Sequence, residues 1–297
     1  MKILLTGASG FLGEVMQTEW NNDHEIITLG RSEKAMIVCD LSNQLPDIPS
    51  IEMVVHAAGK AHIFPGSAEE KDDFFRVNVQ GTKNLLVALE QNQQLKKFVF
   101  ISSVSVYGLV EGIDIREDSS LLATDPYGKS KIEAEKSVLD WCTKRKIDYY
   151  ILRVPLIAGK NAPGNLGAMV KGIKSGRYVS IGKAKSKKSI VLADDLAKFI
   201  STIEGPSGIY NLTDGYHPSF QELEHAIADF YKKKNPVSLP GIAAKVLGLV
   251  GDMIGAKFPV NSNKLKKITS TLTFNDTKAK TYLQWKPRKV LKGWEIG

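Results

Sequence analysis

Tyr127 and Lys131 stand four residues apart, and both side chains can exchange protons. Residues with this spacing share one face of an α-helix, and Pro126 just before them is typical of a helix start. Because a neighbouring ammonium favours the phenolate, the pair predicts a tyrosine of lowered pKa that serves as an acid or base near neutral pH. A second copy of the spacing, Tyr282 and Lys286, follows no serine-ended strand and is predicted only to pack a C-terminal helix.

Serine hydroxyls come earlier in the chain, where an apolar segment ends. Residues 98–101 predict a buried strand, and Ser102, Ser103 and Ser105 follow it. Ligands of open parallel sheets bind at the carboxyl ends of the strands, so these hydroxyls are placed to hydrogen-bond a reacting oxygen. Serines at a strand end, followed by the tyrosine–lysine pair at a helix start, therefore predict a catalytic site.

A glycine-rich turn near the N-terminus predicts what these side chains face. It joins an apolar strand at residues 3–5 to an amphipathic pattern that runs to Trp20. Glycines permit a tight turn and a close approach to phosphates, and the following helix N-terminus favours negative charge. The turn predicts a dinucleotide site, against the alternative of a plain strand–helix connection. Its residues are Gly7, Gly10, Phe11, Leu12 and Gly13.

Strands and helices alternate through the first half of the chain and would position these groups. Further strands are predicted at residues 25–29, 35–38, 53–56 and 149–152, and helices at 74–91 and 127–144. Such alternation implies right-handed crossovers and a doubly wound parallel sheet of the α/β class. After Pro155, residues 159–167 are predicted as a loop, and residues 189–192 and 209–211 as strands that return to the sheet.

The composition is that of a globular protein with a sizeable core. The chain has 297 residues, and its two cysteines are far apart, which predicts no disulfide or metal site and fits a reducing, cytoplasmic compartment. The first apolar run stops at Gly7, too early for a secretion signal. Residues 241–258 are apolar but interrupted by charges, which predicts amphipathic helices and no membrane partner, with peripheral membrane contact as the alternative.

The net charge of +8 raises the question of an anionic partner. Basic runs occur at residues 183–188, 232–234 and 264–267, and no aromatic residues are interleaved with them. This pattern disfavours nucleic acid. It favours solvated faces and attraction for an acidic small substrate.

Several further motifs, together with those above, resemble one protein family. They are Asp40-Leu41, His56-Ala57-Ala58-Gly59, Asn78-Val79-Gln80-Gly81-Thr82, Leu152-Arg153-Val154-Pro155, Asp194-Asp195-Leu196-Ala197, Tyr210-Asn211-Leu212 and Leu283-Gln284-Trp285-Lys286-Pro287. Over nearly its whole length the chain is similar to extended short-chain dehydrogenases/reductases of the NAD(P)-dependent nucleotide-sugar epimerase/dehydratase family. The resemblance implies a Rossmann domain and hydride transfer between a nicotinamide and a sugar carbon, usually C4.

The resemblance also implies roles for individual residues. Ser103, Tyr127 and Lys131 would be catalytic, Asp40 and Leu41 would flank the adenine, Asn78 would brace the site, and Ala57, Ala58, Gly59, Val154 and Pro155 would line the cofactor. Simpler alternatives remain open. Ser105 could replace Ser103 toward substrate, Asn78 could only bridge backbone groups, and Asp40 could be a turn residue. His56 and His62 are expected to be packing or surface histidines.

The end of the second strand bears on the choice of cofactor. Gly30 occupies the position where NAD-specific relatives carry an acid for the ribose 2′-hydroxyl. Arg31 and Ser32, which follow it, could hold a 2′-phosphate, against the alternative that Arg31 is only solvated. The sequence therefore favours NADP over NAD. A reductase consumes NADPH, whereas an epimerase recycles bound NAD.

Four features of the sequence bear on the substrate by comparison with the family. Val104-Ser105 replaces the Asp-Glu of the dehydratases, and Leu156 replaces an asparagine of the galactose-type epimerases. The segment that includes Asn165 looks more like reductases of 4-keto-6-deoxy-N-acetylhexosamine nucleotides, which makes Asn165 a substrate-binding candidate. Lys188 stands where relatives often have an arginine for the diphosphate, so it is expected to bind there without bidentate geometry.

These observations predict a doubly wound Rossmann domain, residues 1–158 and 189–213, with a smaller C-terminal α/β substrate-binding portion, residues 159–188 and 214–297. The favoured activity is NADPH-dependent reduction of a UDP-linked 4-keto sugar in surface-polysaccharide synthesis, by Ser103, Tyr127 and Lys131, with Ser105 also near the substrate. The alternatives are a nucleotide-sugar 4-epimerase and a non-catalytic NADP-binding sensor. Helix faces at 83–91 and 132–139 could pair in a homodimer.

Overall fold

The structure is a computed structural model that describes residues 1–61, 66–182, 184–241, 243 and 262–296. His62, Lys183 and most of the apolar segment 241–258 lie outside these ranges.

The described strands, in chain order, are β1 Lys2–Thr6, β2 Glu25–Gly30, β3 Ile37–Val38, β4 Met53–His56, β5 Lys97–Ser103, β6 Gly112–Ile115, β7 Asp148–Val154, β8 Leu156–Ala158, β9 Val179–Ile181, β10 Ile190–Leu192, β11 Gly208–Asn211, β12 Val237–Leu239 and β13 Leu272–Phe274. The described α-helices are α1 Phe11–Trp20, α2 Ala68–Phe75, α3 Gly81–Ala88, α4 Pro126–Arg145, α5 Gly164–Lys174, α6 Ala193–Ser201, α7 Phe220–Phe230, α8 Ser262–Thr269, α9 Thr277–Tyr282 and α10 Val290–Gly293. A π-helix, Arg76–Gln80, joins α2 to α3, and a 3₁₀-helix, Val104–Tyr107, follows β5.

A parallel sheet forms the centre of the described fold, in the order β11-β7-β5-β4-β1-β2-β3. Chain order reverses between β1 and β4, because β2 and β3 lie on one side of β1 and the later strands lie on the other. The carboxyl ends of β1 and β4 therefore open a crevice of the kind that binds ligands in doubly wound sheets. The glycine turn after β1 and the Ala57–Gly59 segment after β4 line it.

Helices cover both faces of this sheet, as alternating side chains require. Ile3 and Leu5 point to a core shared with α1 and α6, whereas Leu4 points to a second core shared with α3 and α4. Strands buried on both faces read as continuous apolar runs, which is why the sequence predicted them. The predicted α/β doubly wound fold is confirmed.

Some predicted boundaries differ from the structure. Helix α5 begins at Gly164, inside the predicted loop 159–167, because Leu166, Met169 and Ile173 are buried at helical spacing. The strand predicted at 189–192 does not return to the central sheet, since Ile190–Leu192 pairs with Leu156–Ala158 in a separate two-stranded sheet.

Two helical predictions also need correction. The segment predicted as one helix over 74–91 is divided by the π-helix between α2 and α3. The second tyrosine–lysine spacing does not share a helix, because α9 ends at Tyr282, which is 57% exposed.

Candidate active site

Two glycines let the turn after β1 pack closely against neighbouring backbone atoms. Gly7 has a positive φ of 73°, and a Cβ there would lie 2.6 Å from the Ala58 nitrogen. A Cβ at Gly13 would collide with the Gly7 carbonyl, so this glycine lets α1 pack onto the turn. Gly10 is the N-cap of α1 and provides no side-chain cap. A helix start without a side-chain acceptor offers N–H groups and positive dipole to phosphate, so the turn fits a dinucleotide.

His56 fixes the loop on the other side of the crevice. Its Nδ1 lies 2.6 Å from the Thr6 hydroxyl oxygen, and its Nε2 lies 2.9 Å from that of Thr82. Burial and the charge of Lys131 lower the pKa of His56 to about 3, so the ring stays neutral. The Ala58 N–H donates to the Thr6 hydroxyl at 3.1 Å. His56 therefore acts as a packing residue that orders the predicted cofactor loop.

Asn78 lies in the π-helix and connects that loop to the start of α4. Its Oδ1 accepts from the Lys60 N–H at 2.7 Å, and its Nδ2 donates to the Lys60 carbonyl at 3.1 Å and to the Ser130 hydroxyl at 2.9 Å. The Ser130 hydroxyl donates in turn to the Tyr127 carbonyl at 2.8 Å. The π-turn aims this amide between two segments, and such turns are frequent at functional sites. Asn78 thus links the Lys60 backbone to the Ser130 hydroxyl at the start of α4.

The structure brings Ser103, Ser105 and Tyr127 together. The Ser103 hydroxyl donates to the Ser105 hydroxyl at 3.1 Å and lies close enough to the Tyr127 side chain to affect its pKa. The contact depends on Gly128, because a Cβ there would lie 2.8 Å from the Ser105 carbonyl oxygen. Asp125 caps α4 by accepting from the Gly128 N–H at 3.0 Å, which fixes where the helix begins.

The pKa of Tyr127 differs from the prediction. Burial raises it, the nearby Ser103 hydroxyl opposes the rise, and the charge of Asp125 adds to it. Lys131 does not contribute, because its ammonium donates to the Ile101 carbonyl at 2.7 Å and lies 4.0 Å from the centre of the Phe100 ring. The predicted lowering of the tyrosine pKa by Lys131 is therefore wrong for this structure, and Tyr127 holds its proton.

Lys131 itself is 4% exposed, and burial lowers its pKa to about 7, partly opposed by Glu135. Glu135 follows one helical turn later on α4 and forms a buried ion pair with Arg153 of β7, at 2.8 Å between Nη2 and Oε2. Ser102 donates a short hydrogen bond to the same carboxylate. The Glu135 carboxylate therefore has partners on both β5 and β7. The partner on β5, Ser102, directly precedes the catalytic candidate Ser103 in the chain.

Sequence reasoning missed this buried network. The Arg153 guanidinium also donates to the Tyr107 hydroxyl at 3.1 Å, and that hydroxyl donates to Asn211 Oδ1 at 2.8 Å. The available signal was a glutamate four residues after Lys131 and an arginine in an otherwise apolar strand. Neither spacing identifies a partner, because the two residues meet only through the tertiary fold.

The predicted adenine end is polar and open. Arg31 is exposed and makes no hydrogen bond or ion pair within the described parts of the chain. Asp40 accepts from the Ser42 N–H at 3.0 Å, and that bond and the charge of Arg31 lower its pKa, although burial works against them. The Ser32 hydroxyl accepts from the Lys34 N–H at 3.3 Å. Leu41 is buried, with its carbonyl held by Asn84 at 2.7 Å.

The remaining predicted residues lie at the ends of β7, α5 and β10. Val154 pairs in register with Ser103, and Pro155 follows it at the carboxyl end of β7. Asn165 is exposed in the first turn of α5. Lys188 is half-buried, and burial together with the charge of Lys267 lowers its pKa to about 8.

The described residues contain no cluster of three or more histidine, cysteine or acidic side chains suited to a metal. Within the same ranges, no helix is both long and apolar enough to cross a membrane.

The fold and this crevice define a dinucleotide-binding α/β protein. The sequence profile of the NAD dependent epimerase/dehydratase family matches residues 3–211, and the chain belongs to that family. The predicted resemblance is confirmed, and with it the expectation of an NAD(P)-dependent enzyme of the extended short-chain type.

Curated relatives cover most of the chain. An Escherichia coli O157:H7 protein named N-acetyl-alpha-D-glucosaminyl-diphospho-ditrans,octacis-undecaprenol 4-epimerase is 29% identical over 93% of this chain and 88% of its own length. A UDP-glucose 4-epimerase of Vibrio cholerae is 26% identical over 98% of this chain and 92% of its own. A GDP-6-deoxy-D-mannose reductase of Pseudomonas aeruginosa is 25% identical over 77% and 79%.

Solved structures agree in fold. The UDP-glucose 4-epimerase of Thermotoga maritima with UDP-glucose superimposes with a TM-score of 0.75 at 20% identity, over 99% of this chain and 96% of that one. The RMD protein of Pseudomonas aeruginosa, complexed with NADPH, gives 0.70 at 21% identity, over 98% and 95%.

Proposed function

We propose that this protein is an NADP(H)-dependent reductase that acts at C4 of a nucleotide-linked 4-keto sugar. The observation that carries the proposal is the state of Tyr127. Its side chain lies near Ser103 at the end of β5, and burial raises its pKa. Reduction of a carbonyl requires a proton donor, and a tyrosine of raised pKa keeps its proton at neutral pH.

The remaining catalytic candidates support that proton transfer. The Ser103 hydroxyl polarises the substrate carbonyl and places its oxygen against the Tyr127 hydroxyl, which gives up the proton. A bound nicotinamide supplies the hydride to C4. We assign Lys131, one helical turn after Tyr127, to the cofactor ribose. Asn78 keeps the helix start and the cofactor loop at a fixed separation.

The open end of β2 supports NADP. A 2′-phosphate is recognised by charge-assisted hydrogen bonds, and the exposed guanidinium of Arg31 has no such partner among the described residues. Ser32 lies beside it. We therefore assign the two residues to the 2′-phosphate, with Asp40 and Leu41 at the adenine.

Arg31→Ala tests this assignment. A charge-assisted contact contributes about 1.5–3 kcal/mol, so the variant should bind NADPH at least about ten-fold more weakly and NADH nearly unchanged. Calorimetry with both cofactors measures this effect. The control is Arg116→Ala, which removes an exposed charge just after β6, outside the central sheet. Tighter binding of NADH than NADPH by the wild type would contradict both the cofactor assignment and the preference for reduction.

The substrate-binding groups are proposed from Lys188, Asn165 and Ser105. Lys188 is half-buried, and the charge of the exposed Lys267 adds to the cost of its own charge, so a bound anion would stabilise the Lys188 ammonium. A diphosphate fits that requirement, and a UDP-linked sugar is the proposed form. The proposed substrate portion comprises residues 159–188 and 214–297, with the Rossmann domain at 1–158 and 189–213, and a homodimer would pair the α3 and α4 faces.

The second candidate is a 4-epimerase. Two of the curated relatives above are named as 4-epimerases. The name of one gives a substrate whose sugar is linked to a polyprenyl diphosphate, and Lys188 and Lys267 would attract that diphosphate as well. An epimerase retains its cofactor through purification and needs none added.

A panel of nucleotide sugars and their 4-keto forms, incubated with NADH or NADPH and followed by absorbance and NMR, separates the candidates. Consumption of NADPH with formation of a 4-hydroxy sugar is the expected result. Interconversion of two hexose nucleotides without net cofactor consumption would overturn the reductase in favour of the epimerase.

A further inference from the structure

One edge of the described structure combines exposed cations with exposed apolar side chains. Helices α5 and α7 pack together and end on the same side, since the Lys174 ammonium lies 5.0 Å from the centre of the Tyr231 ring. The strands that follow them, β9 and β12, start at this edge with Val179 paired directly to Val237. We call this surface the basic edge, and it consists of Lys171, Lys174, Arg177, Val179, Phe230, Tyr231, Lys232, Lys233, Lys234 and Val237.

The charges of the basic edge are almost entirely of one sign. Its six basic side chains are exposed, and Asp229 is the one acid in the segments 171–182 and 229–241. None of the six forms an ion pair with a described residue. A dense positive surface without internal counter-ions creates a potential that attracts anionic partners.

The apolar members of the edge point into solvent. Val179 is 54% exposed, Phe230 55% and Val237 78%. The two valines are neighbours on adjacent strands, so their exposed surfaces are contiguous. Apolar side chains ringed by lysines are the composition that inserts at the interface of an anionic bilayer, where the lysines meet phosphates and the apolar groups leave water.

We propose that the basic edge docks the protein onto an anionic phospholipid surface. Single-stranded nucleic acid fits less well, because it requires open aromatic platforms. Phe230 and Tyr231 instead pack edge to face against each other, with ring centres 5.0 Å apart. The exposed valines would contribute nothing to a phosphate backbone. The proposal departs from the expectation of no membrane partner and does not depend on the proposed reductase activity.

Sedimentation of the full chain with vesicles tests the proposal. Vesicles of phosphatidylcholine and phosphatidylglycerol in equal parts should carry the protein down, pure phosphatidylcholine vesicles should not, and added salt should weaken the binding. The combined variant Lys232→Gln, Lys233→Gln, Lys234→Gln should bind roughly a hundred-fold more weakly, because each lysine near such a surface contributes about five-fold. Its urea unfolding midpoint should stay at the wild-type level, which separates the loss of surface charge from a loss of the fold.

Matched controls distinguish the basic edge from general charge. The combined variant Lys71→Gln, Lys146→Gln, Lys286→Gln removes the same charge from exposed positions elsewhere and should bind vesicles like the wild type. Val237→Asn should weaken vesicle binding a few-fold, whereas Val38→Asn, at another exposed strand valine, should not. Equal losses in the two lysine variants, no binding to the anionic vesicles, or tighter binding of a single-stranded oligonucleotide would each overturn the proposal.

Discussion

Lys131 and Lys188 both have lowered pKa values, but the surroundings of their ammonium groups differ. Lys131 lies beside the catalytic candidates, and Lys188 lies just before β10. Lys131 has a carbonyl acceptor at 2.7 Å, an aromatic ring beneath its ammonium and a carboxylate one helical turn away. Lys188 has no side-chain hydrogen bond or ion pair to a described residue, and its charged neighbour, Lys267, has the same sign.

We interpret this difference as one of function. The partners of the Lys131 ammonium come from the protein, whereas we propose that those of the Lys188 ammonium come from a bound ligand. In the Lys131 region the protein itself supplies the partners of the ammonium, because the Ile101 carbonyl accepts from it and Glu135 opposes the lowering of its pKa. In the Lys188 region no described side chain pairs with the Lys188 ammonium, and we propose that a bound anion supplies its counter-charge. Changes in the first region should therefore affect stability and chemistry, and changes in the second should affect anion binding alone.

The largest expected effect comes from Glu135→Gln. It leaves the Arg153 guanidinium, 2% exposed, without its counter-ion, and breaking a buried pair costs about 3–5 kcal/mol. Urea unfolding should show this loss, whereas Glu133→Gln, at an exposed position of the same helix, should leave the midpoint unchanged. Equal midpoints for the two variants would remove the distinction between the lysine regions.

The next effect concerns the proton donor of the Lys131 region. Tyr127→Phe should lower turnover roughly a hundred-fold or more, since it removes the proposed acid, while cofactor still binds. Steady-state rates and calorimetry measure the two quantities. Tyr282→Phe, at the exposed tyrosine with the same lysine spacing, should behave like the wild type. Near-normal turnover by the Tyr127 variant would exclude the catalytic assignment.

A smaller effect is expected in the Lys188 region. Lys188→Ala should weaken UDP binding by roughly 1–2 kcal/mol, less at high salt, and leave both NADPH affinity and stability unchanged. Lys187→Ala, at the exposed neighbour, is the control. Calorimetric titration of UDP into both variants decides it, because equal and negligible effects would remove Lys188 from the substrate site.

The smallest effect is a pH dependence of UDP binding. Lys188 is charged below its pKa of about 8 and neutral above it, so UDP affinity should fall a few-fold as the pH rises through that value. The UDP phosphates stay fully ionised in this window, since their last pKa is about 6. Lys188→Ala should abolish the dependence, and an unchanged slope in the variant would assign the titration to another group.

Local patterns predicted the cofactor side of the crevice well. The strand, glycine turn and helix at residues 2–20, and the helix that begins beside Tyr127, follow from short-range signals of apolar runs, glycines and a proline. The parallel, doubly wound character of the sheet follows from the alternation of strands and helices, whereas the order of its strands was not predicted. These elements were predictable because each is specified by residues close together in sequence.

Long-range pairings were not predictable in the same way. The pairing of β10 with β8 depends on Pro155, which ends β7 and directs the next residues away from the central sheet. The raised pKa of Tyr127 depends on burial and on where the Lys131 ammonium points. The Glu135–Arg153 pair joins a helix to a strand. Each requires the assembled fold, because no spacing in the chain encodes the contact.

The two glycine positions near the cofactor differ in their freedom to change. A Cβ at Gly7 would strike the Ala58 backbone, whereas a Cβ at Gly30 would meet no described atom within 4 Å. Replacement of Gly30 by an acid would therefore cost no packing while offering a partner to a ribose hydroxyl. In evolutionary terms, we expect the choice between NAD and NADP to change without loss of the fold, because Gly30 can be replaced without disturbing the packing.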